Sequence, residues 1–258
     1  MKVRILGAHN LELQQARHTC FLVDDLIAID AGSLMTTLNL EELKKIQVIL
    51  LTHCHFDHVR DLPSLGLATI DQGWTTFLYG LPETLEAISS RLMDGMMYPD
   101  FTTSLSQDKP RYQLQPVTPG ETFTIYDYIV KPIAVPHTAP TVGYIIHQPG
   151  GRCFAYCGDT GGGLLPFFQD PLRPDPIFVE VTFPERMKKL AKLTSHLTPD
   201  LLRGEITTAT NRNLFIPRIM VVHRSPEQEE QIAGELAKLA AELGVEITLA
   251  WEDKIIDV

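Results

Sequence analysis

The sequence predicts an α/β fold in which two mixed sheets pack face to face and helices cover their outer faces, an αβ/βα sandwich. Two observations lead to this prediction. Strand-like and helix-like segments alternate at both ends of the 258-residue chain, and a series of strands without helices lies between them. The sequence shows no internal repeat, low-complexity segment or obvious linker. We therefore expect residues 1–258 to form a single domain, which is long enough to bury a substantial core.

In the first part of the chain, short apolar runs alternate with amphipathic segments. The predicted strands are 3–6, 20–23, 26–30, 48–52 and 75–79, and the predicted helices are 40–46, 59–70 and 82–93. Pro82 suits the first position of its helix, where a backbone N–H has no helical partner in any case. The stretch from Asp94 to Gln115 is predicted to be irregular.

The second part of the chain begins with the β meander. The predicted strands are 122–125, 128–134, 141–147, 153–157, 177–181, 219–222 and 246–251, the last of which is expected to close the chain, and the predicted helices are 184–193, 199–210 and 226–243. Thr198 can cap the second of these helices. The third is the clearest, because its apolar residues share one face and Gly244 follows it.

The composition is ordinary for a soluble globular protein, with 44% hydrophobic and 21% charged residues. The net charge of −10, from 22 basic and 32 acidic residues, argues against a nucleic-acid partner, although bound metal ions could still attract a small anionic substrate. No apolar stretch is long enough to span a bilayer, and the N-terminal apolar run is too short for a secretory signal. Four cysteines are sparse for a secreted disulfide scaffold, so we expect reduced cysteines and a cytoplasmic location.

Potential metal ligands are concentrated directly after the predicted strand 48–52. Within six residues the sequence places His53, His55, Asp57 and His58. Side chains two apart in a loop can point the same way, so His53 and His55 can share one metal. Asp57 and His58 can then face a second metal, because histidine nitrogens suit zinc, iron or manganese and a carboxylate is a harder ligand. The alternative is a polar turn in which these side chains only cap backbone groups. In that case three histidines and one aspartate would occur together by coincidence.

Three further potential ligands each end a strand-like run. They are His137, Asp159 and His223. Strand ends at one edge of a sheet converge on a common site in α/β enzymes. Taken alone, each residue is explained about equally well without a metal, as a histidine at the end of a strand or an aspartate that begins a turn. Taken with the first cluster, they complete a set of ligands for two metals.

The segment Thr52-His53-Cys54-His55-Phe56-Asp57-His58 resembles the T-H-x-H-x-D-H signature of the metallo-β-lactamase superfamily, and the resemblance covers nearly the whole chain. It implies the αβ/βα sandwich and two divalent metal ions, with zinc expected and iron or manganese also suitable. The implied ligands are His53, His55 and His137 for one metal and Asp57, His58 and His223 for the other, with Asp159 bridging both.

The superfamily hosts many reactions, so a second feature is needed to choose among them. The segments 179–184 (Val-Glu-Val-Thr-Phe-Pro) and 194–199 (Thr-Ser-His-Leu-Thr-Pro) resemble the phosphodiesterase branch. Class II cyclic-nucleotide phosphodiesterases carry Glu-Val-Ser-Phe-Pro and then Gly-His-Leu-Thr-Pro, so Thr182 and Ser195 depart from that form. The resemblance implies that His196 is the general acid, that Glu180 holds its ring, and that Asp57 orients the nucleophile besides binding metal. The alternative is a strand and a capped helix with no catalytic part.

The function that follows is a two-metal phosphodiesterase acting on a small molecule, a 3′,5′-cyclic nucleotide, with no membrane partner. One alternative is a ribonuclease Z-like endonuclease, but that family usually carries a Gly/Pro-rich arm near the segment between the His137 and Asp159 equivalents, and only about twenty residues separate them here. A lactamase or thioester hydrolase would need only the metals. A binding protein with an inactive site is disfavoured by the complete ligand set.

Other residues near the motifs have simpler explanations. The stretch 96–101, Met-Met-Tyr-Pro-Asp-Phe, could line a base-binding pocket, but a packed loop or a homodimer contact explains it better. Arg17, Arg60 and Arg224 lie near motif segments, yet each is more simply a surface arginine. His9, His18 and His147 are expected to be structural.

Overall fold

Two sheets and the helices that flank them make up the described part of the chain, residues 1–70, 74–103 and 109–258 of this computed structural model. The strands are β1 Lys2–Gly7, β2 Cys20–Val23, β3 Ile27–Ile29, β4 Val48–Leu50, β5 Thr76–Gly80, β6 Tyr112–Pro116, β7 Phe123–Ile125, β8 Tyr128–Val135, β9 Thr141–Gln148, β10 Arg152–Tyr156, β11 Ile177–Glu180, β12 Ile219–Val222, β13 Ile247–Leu249 and β14 Ile255–Asp257. The strands of the first sheet lie in the order β14-β1-β2-β3-β4-β5-β6, and those of the second in the order β13-β12-β11-β10-β9-β8-β7. Both sheets are mixed, which confirms the predicted αβ/βα sandwich.

Short helices connect the strands. They are α1 Leu34–Thr37, α2 Leu40–Leu43, α3 Phe56–Val59, α4 Leu62–Ala68, α5 Pro82–Ala87, α6 Leu165–Gln169, α7 Lys188–Thr194, α8 Pro199–Asn211 and α9 Glu229–Leu243. A π-helical turn, Ile88–Leu92, continues α5. The Thr198 hydroxyl caps α8 by accepting a hydrogen bond from the Leu201 N–H, and Gly244 ends α9 with a positive φ of 64°, both as predicted.

Three apolar layers hold the sandwich together. The central layer lies between the sheets and includes Phe21, Tyr144 and Phe178, whose rings pack within the same buried cluster. Because successive side chains of a strand point to opposite faces, each sheet also has an outer apolar face. Helices α4 and α5 cover that face of the first sheet, and α8 and α9 cover that of the second. Burial on both faces explains why the inner strands read as continuous apolar runs.

The structure corrects the sequence prediction at several elements. The stretch 94–115 contains the beginning of β6, which pairs in parallel with β5; residues 104–108 of that stretch lie outside the described residues. The strand predicted at 246–251 does not close the chain, because β14 follows it and pairs antiparallel with β1. The short helices α1 and α6 were not predicted. Each of these elements has four or five residues, or three in β14, which is too short for a periodic signal.

The strand directions bring the candidate residues to one edge. In the first sheet β3, β4, β5 and β6 are parallel, and in the second β10, β11, β12 and β13 are parallel. At the carboxyl ends of these strands the Val142 N–H donates a hydrogen bond of 3.0 Å to the Thr52 carbonyl, which joins the two sheets. In the described ranges, none of the helices is long and apolar enough to cross a membrane.

Candidate metal centre

The residues 53–58, called here the ligand loop, leave the end of β4 and enter α3. A buried carboxylate fixes this loop from behind. Asp30, at the end of β3, accepts hydrogen bonds from the Thr52 N–H at 2.8 Å, from the Thr52 hydroxyl at 2.9 Å and from His58 Nδ1 at 2.7 Å. All three residues are fully buried, so the carboxylate holds both ends of the loop in one position.

These contacts decide which ring nitrogens face the centre of the site. The His58 Nδ1–H donates to Asp30, which leaves the lone pair on its Nε2. Because the Thr52 hydroxyl donates to Asp30, it must accept from His53 Nδ1 at 2.9 Å, and His53 also presents a bare Nε2. The partner of one ring nitrogen thereby selects the tautomer that makes the other a metal ligand.

The second sheet contributes three side chains from the ends of its strands. His137 follows β8, donates from Nδ1 to the Ser195 carbonyl at 3.0 Å, and brings Nε2 to 3.2 Å from His55 Nδ1. Asp159 follows β10, and His223 follows β12. Asp159 Oδ2 lies 3.4 Å from His58 Nε2 and 3.2 Å from His223 Nε2.

The structure brings all seven sequence-predicted ligands together in two groups that share one carboxylate. The potential ligand atoms within each group lie within 4.8 Å of one another. The first group is His53, His55, His137 and Asp159; the second is Asp57, His58, Asp159 and His223. Asp159 is the only member of both groups, which is the position that a bridging ligand would occupy.

Buried atoms without hydrogen-bond partners support a cation at this place. His53 Nε2, His58 Nε2 and Asp159 Oδ1 are buried and have no partner among the described residues. Buried polar atoms of this kind are costly unless they are satisfied. Imidazole nitrogens with a bridging carboxylate form a donor set that suits divalent transition metals such as zinc. The residues present therefore fit two such ions.

The charges of the centre also suit a cation. Burial strongly lowers the pKa of His53, so its ring is neutral. Burial opposes the ionisation of Asp57 and Asp159, but the nearby His58 and His223 hold the pKa of both carboxyl groups well below the usual range. In turn, burial opposes the protonation of His58, but Asp159, Asp57 and Asp30 raise its pKa well above the usual range. A bound cation would take the place of that proton on Nε2, because an imidazole binds metal in its neutral form.

A second arrangement, called here the acid pair, lies beside the metal centre. It consists of Glu180, at the end of β11, and His196, whose Nδ1 lies 2.8 Å from Glu180 Oε1. The buried Glu180 carboxylate also accepts hydrogen bonds from the Thr160, Thr182 and Leu197 N–H groups. Its position is therefore fixed by three segments of backbone.

The acid pair is in contact with the candidate ligands. The His196 ring stacks on His223 with centroids 5.3 Å apart and meets the edge of His137 at 5.0 Å. Thr182 connects the two arrangements further, because its hydroxyl donates to Glu180 and accepts from His223 Nδ1 at 2.9 Å. Burial lowers the pKa of His196, but the Glu180 carboxylate outweighs this and raises it to about 9.

Three residues around the centre have a left-handed backbone. His223 and Asp30 both have a positive φ, of 55° and 59°, which is unfavourable for residues with a Cβ. Ser195 is also left-handed, with φ 55° and ψ 52°, at the carboxyl end of α7. Strain of this size persists where the surroundings fix the backbone, commonly at functional sites.

Sequence reasoning missed Asp30, which orients a proposed ligand without belonging to either motif. It noted Thr182 only as a departure from the phosphodiesterase form and did not predict its hydrogen bond to His223. The available signal for Asp30 was its position, because it is a polar residue at the end of a buried strand. The three arginines near the motifs are occupied elsewhere. Arg17 pairs with Glu252 and Asp253, and Arg60 with Glu12 and Asp61. Arg224 pairs with Glu229 and is fully buried, so the prediction of a surface arginine was wrong there. His9 lies between the carboxylates of Glu229 and Glu252.

The comparisons with known proteins agree with this architecture. The family model described as the beta-lactamase superfamily domain matches residues 21–223. Ribonuclease Z of Methanococcus maripaludis is 29% identical over 106 residues, which cover 40% of this chain and 32% of that protein. Ribonuclease TTHA0252 of Thermus thermophilus is 25% identical over 183 residues, which cover 69% of this chain and 41% of that protein. The matched stretches thus span less than half the length of these relatives.

A solved structure extends the likeness to the whole chain. The crystal structure of unliganded yeast PDE1 superposes with a TM-score of 0.83 at 20% identity, covering 100% of this chain and 99% of the other. At that identity the likeness concerns the fold. Because the family model covers most of the sequence and the fold agrees, the chain belongs to the metallo-β-lactamase superfamily, as its ligand loop predicted.

Proposed function

We propose that this protein is a two-metal-dependent phosphodiesterase that hydrolyses a small cyclic nucleotide. The observation that carries the proposal is the acid pair beside the candidate metal centre. A hydrolase that needed only metals would have no use for a buried carboxylate that positions a histidine against two metal ligands. A phosphodiester needs such a histidine, because its leaving alkoxide must take a proton.

We assign the metal ligands as the two groups that share Asp159, with zinc as the expected metal and iron or manganese as alternatives. Two divalent ions bound there would stabilise charge on the phosphate oxygens and lower the pKa of water. The remaining chemistry belongs to the side chains. Asp57 is partly exposed, so its carboxylate can accept a hydrogen bond from the attacking water and orient it toward phosphorus.

His196 is the proposed general acid. Its Nδ1–H donates to Glu180, so the proton available for transfer is on Nε2. The raised pKa of His196 keeps this proton in place at neutral pH. In a 3′,5′-cyclic phosphate, the water would lose one proton to solvent, its oxygen would join phosphorus, and the bond from phosphorus to O3′ would break. O3′ would take the proton from His196, which would regain one from solvent. The product is a nucleoside 5′-monophosphate.

The surroundings of the centre favour a small substrate over RNA. The chain carries a net charge of −10, and the arginines near the motifs are paired with carboxylates. The residues between His137 and Asp159 are fully described and form the β9–β10 hairpin, which leaves no room there for a ribonuclease Z arm. A ribonuclease Z-like endonuclease is the second candidate, since one matched relative is named ribonuclease Z and the other is named a ribonuclease.

The test is a substrate panel with the metal-reconstituted protein. The panel contains 3′,5′-cyclic AMP, bis(p-nitrophenyl) phosphate, a tRNA precursor, a thioester and a β-lactam. We expect hydrolysis of the first two. Cleavage of the tRNA precursor without turnover of cyclic AMP would favour the second candidate, and hydrolysis of only the thioester and β-lactam would overturn the phosphodiesterase proposal.

A further inference from the structure

A cavity of about 280 Å³ adjoins the ligand loop, on the side where the loop faces the end of α5 and its π-helical turn. Its lining is mostly apolar and consists of Cys54, Phe56, Val59, Ala87, Ile88, Arg91 and Leu92. Two of these residues, Cys54 and Phe56, alternate with the proposed ligands His53, His55 and Asp57 in the sequence. The cavity and the proposed metal centre therefore share the ligand loop as a wall.

The chemistry of the lining fits one planar ring. Phe56 is 66% exposed, which is unusual for a phenylalanine and leaves its face free for stacking. Arg91 is also exposed, and among the residues that the structure describes none accepts a hydrogen bond from its guanidinium. A guanidinium is a donor-only group that stacks on rings, so it suits the acceptor nitrogens of a purine.

The backbone at this cavity is irregular. Arg91 and Ile88 belong to the π-helical turn, a conformation that is rare and often found at functional sites. The Met-rich stretch that follows does not line the cavity: Met96 and Met97 are 90% and 78% exposed. A base pocket in this region is therefore lined by residues 87–92 rather than by residues 96–101.

We propose that this cavity binds the nucleobase of the substrate, with Phe56 stacking on the ring and Arg91 donating to its edge. The inference rests on the proposed function, since the phosphodiester must lie at the metal centre while the base occupies the cavity. The occupant is a purine or pyrimidine ring attached through ribose to the phosphate. Residues 54, 56 and 91 would then determine specificity without taking part in the chemistry.

Cys54 offers a probe that does not depend on turnover. It is the one cysteine of the four that is not buried; Cys20, Cys153 and Cys157 are at most 5% exposed. A thiol reagent should therefore modify Cys54 first in the folded, metal-loaded protein. We expect 5′-AMP, the product of cyclic AMP hydrolysis, to slow this alkylation, and ribose 5-phosphate, which lacks the base, to leave its rate unchanged.

Two variants test the binding mode. Ala87→Trp fills the cavity, and Arg91→Gln removes the charge and most donors. Stacking on one aromatic side chain is worth about 5- to 150-fold in affinity, so the AMP concentration for half-protection should rise at least about fivefold in Ala87→Trp. The rise in Arg91→Gln should be several-fold. Arg212→Gln is the matched control, because Arg212 is exposed at the far end of α8 and lies outside the cavity.

The outcomes separate this inference from the function on which it rests. Turnover of cyclic AMP without AMP protection, or equal protection by ribose 5-phosphate, would overturn the base pocket and leave the phosphodiesterase intact. Unchanged half-protection in both Ala87→Trp and Arg91→Gln would also overturn it. AMP protection in a protein that hydrolyses no phosphodiester would support a nucleobase pocket and reject the proposed function.

Discussion

The ligand loop and the acid pair differ in how the chain assembles them. The loop places four candidate ligands within residues 53–58, and one buried carboxylate, Asp30, orients it. The acid pair joins Glu180 to His196 across 16 residues and depends on backbone N–H groups from three separate segments. The local motif makes a metal centre, which many reactions can use. The dispersed pair is what makes phosphodiester chemistry the better proposal.

The largest expected effect comes from removing the residue that both metal groups share. Asp159→Ala should lose metal and nearly all activity, because among the described residues Asp159 is the only carboxylate within ligand distance of both sets of histidines. Metal analysis of the purified variant, alongside turnover of bis(p-nitrophenyl) phosphate, measures both losses. Asp127→Ala, in the β7–β8 turn, should change neither quantity. A variant at Asp159 that keeps two metals per chain would refute the bridging assignment.

The acid pair should respond in the opposite way. His196→Ala should retain its metals, since the backbone N–H groups still hold Glu180 in place. Loss of a general acid typically costs about 10²–10⁴-fold in rate, and the cost should fall mainly on substrates with poor leaving groups. Comparing an alkyl phosphodiester with bis(p-nitrophenyl) phosphate tests this, with His147→Ala as the control. An equal loss on both substrates would remove His196 from the acid role.

The same contrast explains what could be predicted from sequence. The ligand loop could be predicted because its four ligands are adjacent. His137, Asp159 and His223 could be added because each ends a strand-like run and matches the family resemblance. Asp30 and the role of Thr182 were not predicted, because both depend on hydrogen bonds across the fold rather than on spacing. In the fold, long strands were placed correctly, whereas β14 was missed because its pairing with β1 joins opposite ends of the chain.

Asp30 tests whether the ligand loop depends on its support. Asp30→Asn removes the charge that orients the His58 ring, and the loss of such a partner typically weakens metal affinity about 10- to 100-fold. Competition with a chelator of known affinity measures the change. Asp24→Asn, in the turn at the other end of β3, is the matched control. Equal affinity in both variants would mean that the loop is held by packing alone.

The pH dependence tests the acid pair directly. His196 acts in its protonated form, so activity on a poor leaving group should fall as the pH rises through its pKa. Burial lowers the pKa of His196 and the Glu180 carboxylate raises it, so Glu180→Gln should move the alkaline limb to lower pH. A profile of kcat against pH for wild type and variant measures this. Coincident alkaline limbs would show that another group carries the limb.

The smallest effect concerns Ser195, where the chain departs from the glycine of the related phosphodiesterases. Ser195 ends α7 in a left-handed conformation, which costs a residue with a Cβ about 1–2 kcal/mol. Glycine would relieve that strain but has more freedom to lose on folding, about 0.4–1 kcal/mol. Ser195→Gly should therefore stabilise the metal-free protein by about 0–1.6 kcal/mol in denaturant unfolding. Thr194→Gly, within α7, should destabilise it by a similar amount, since glycine is unfavourable inside a helix.

The metal content of Ser195→Gly should not change, because His137 donates its hydrogen bond to the backbone carbonyl of residue 195 and not to the serine side chain. A clear loss of stability there would mean that the serine side chain itself supports the acid pair.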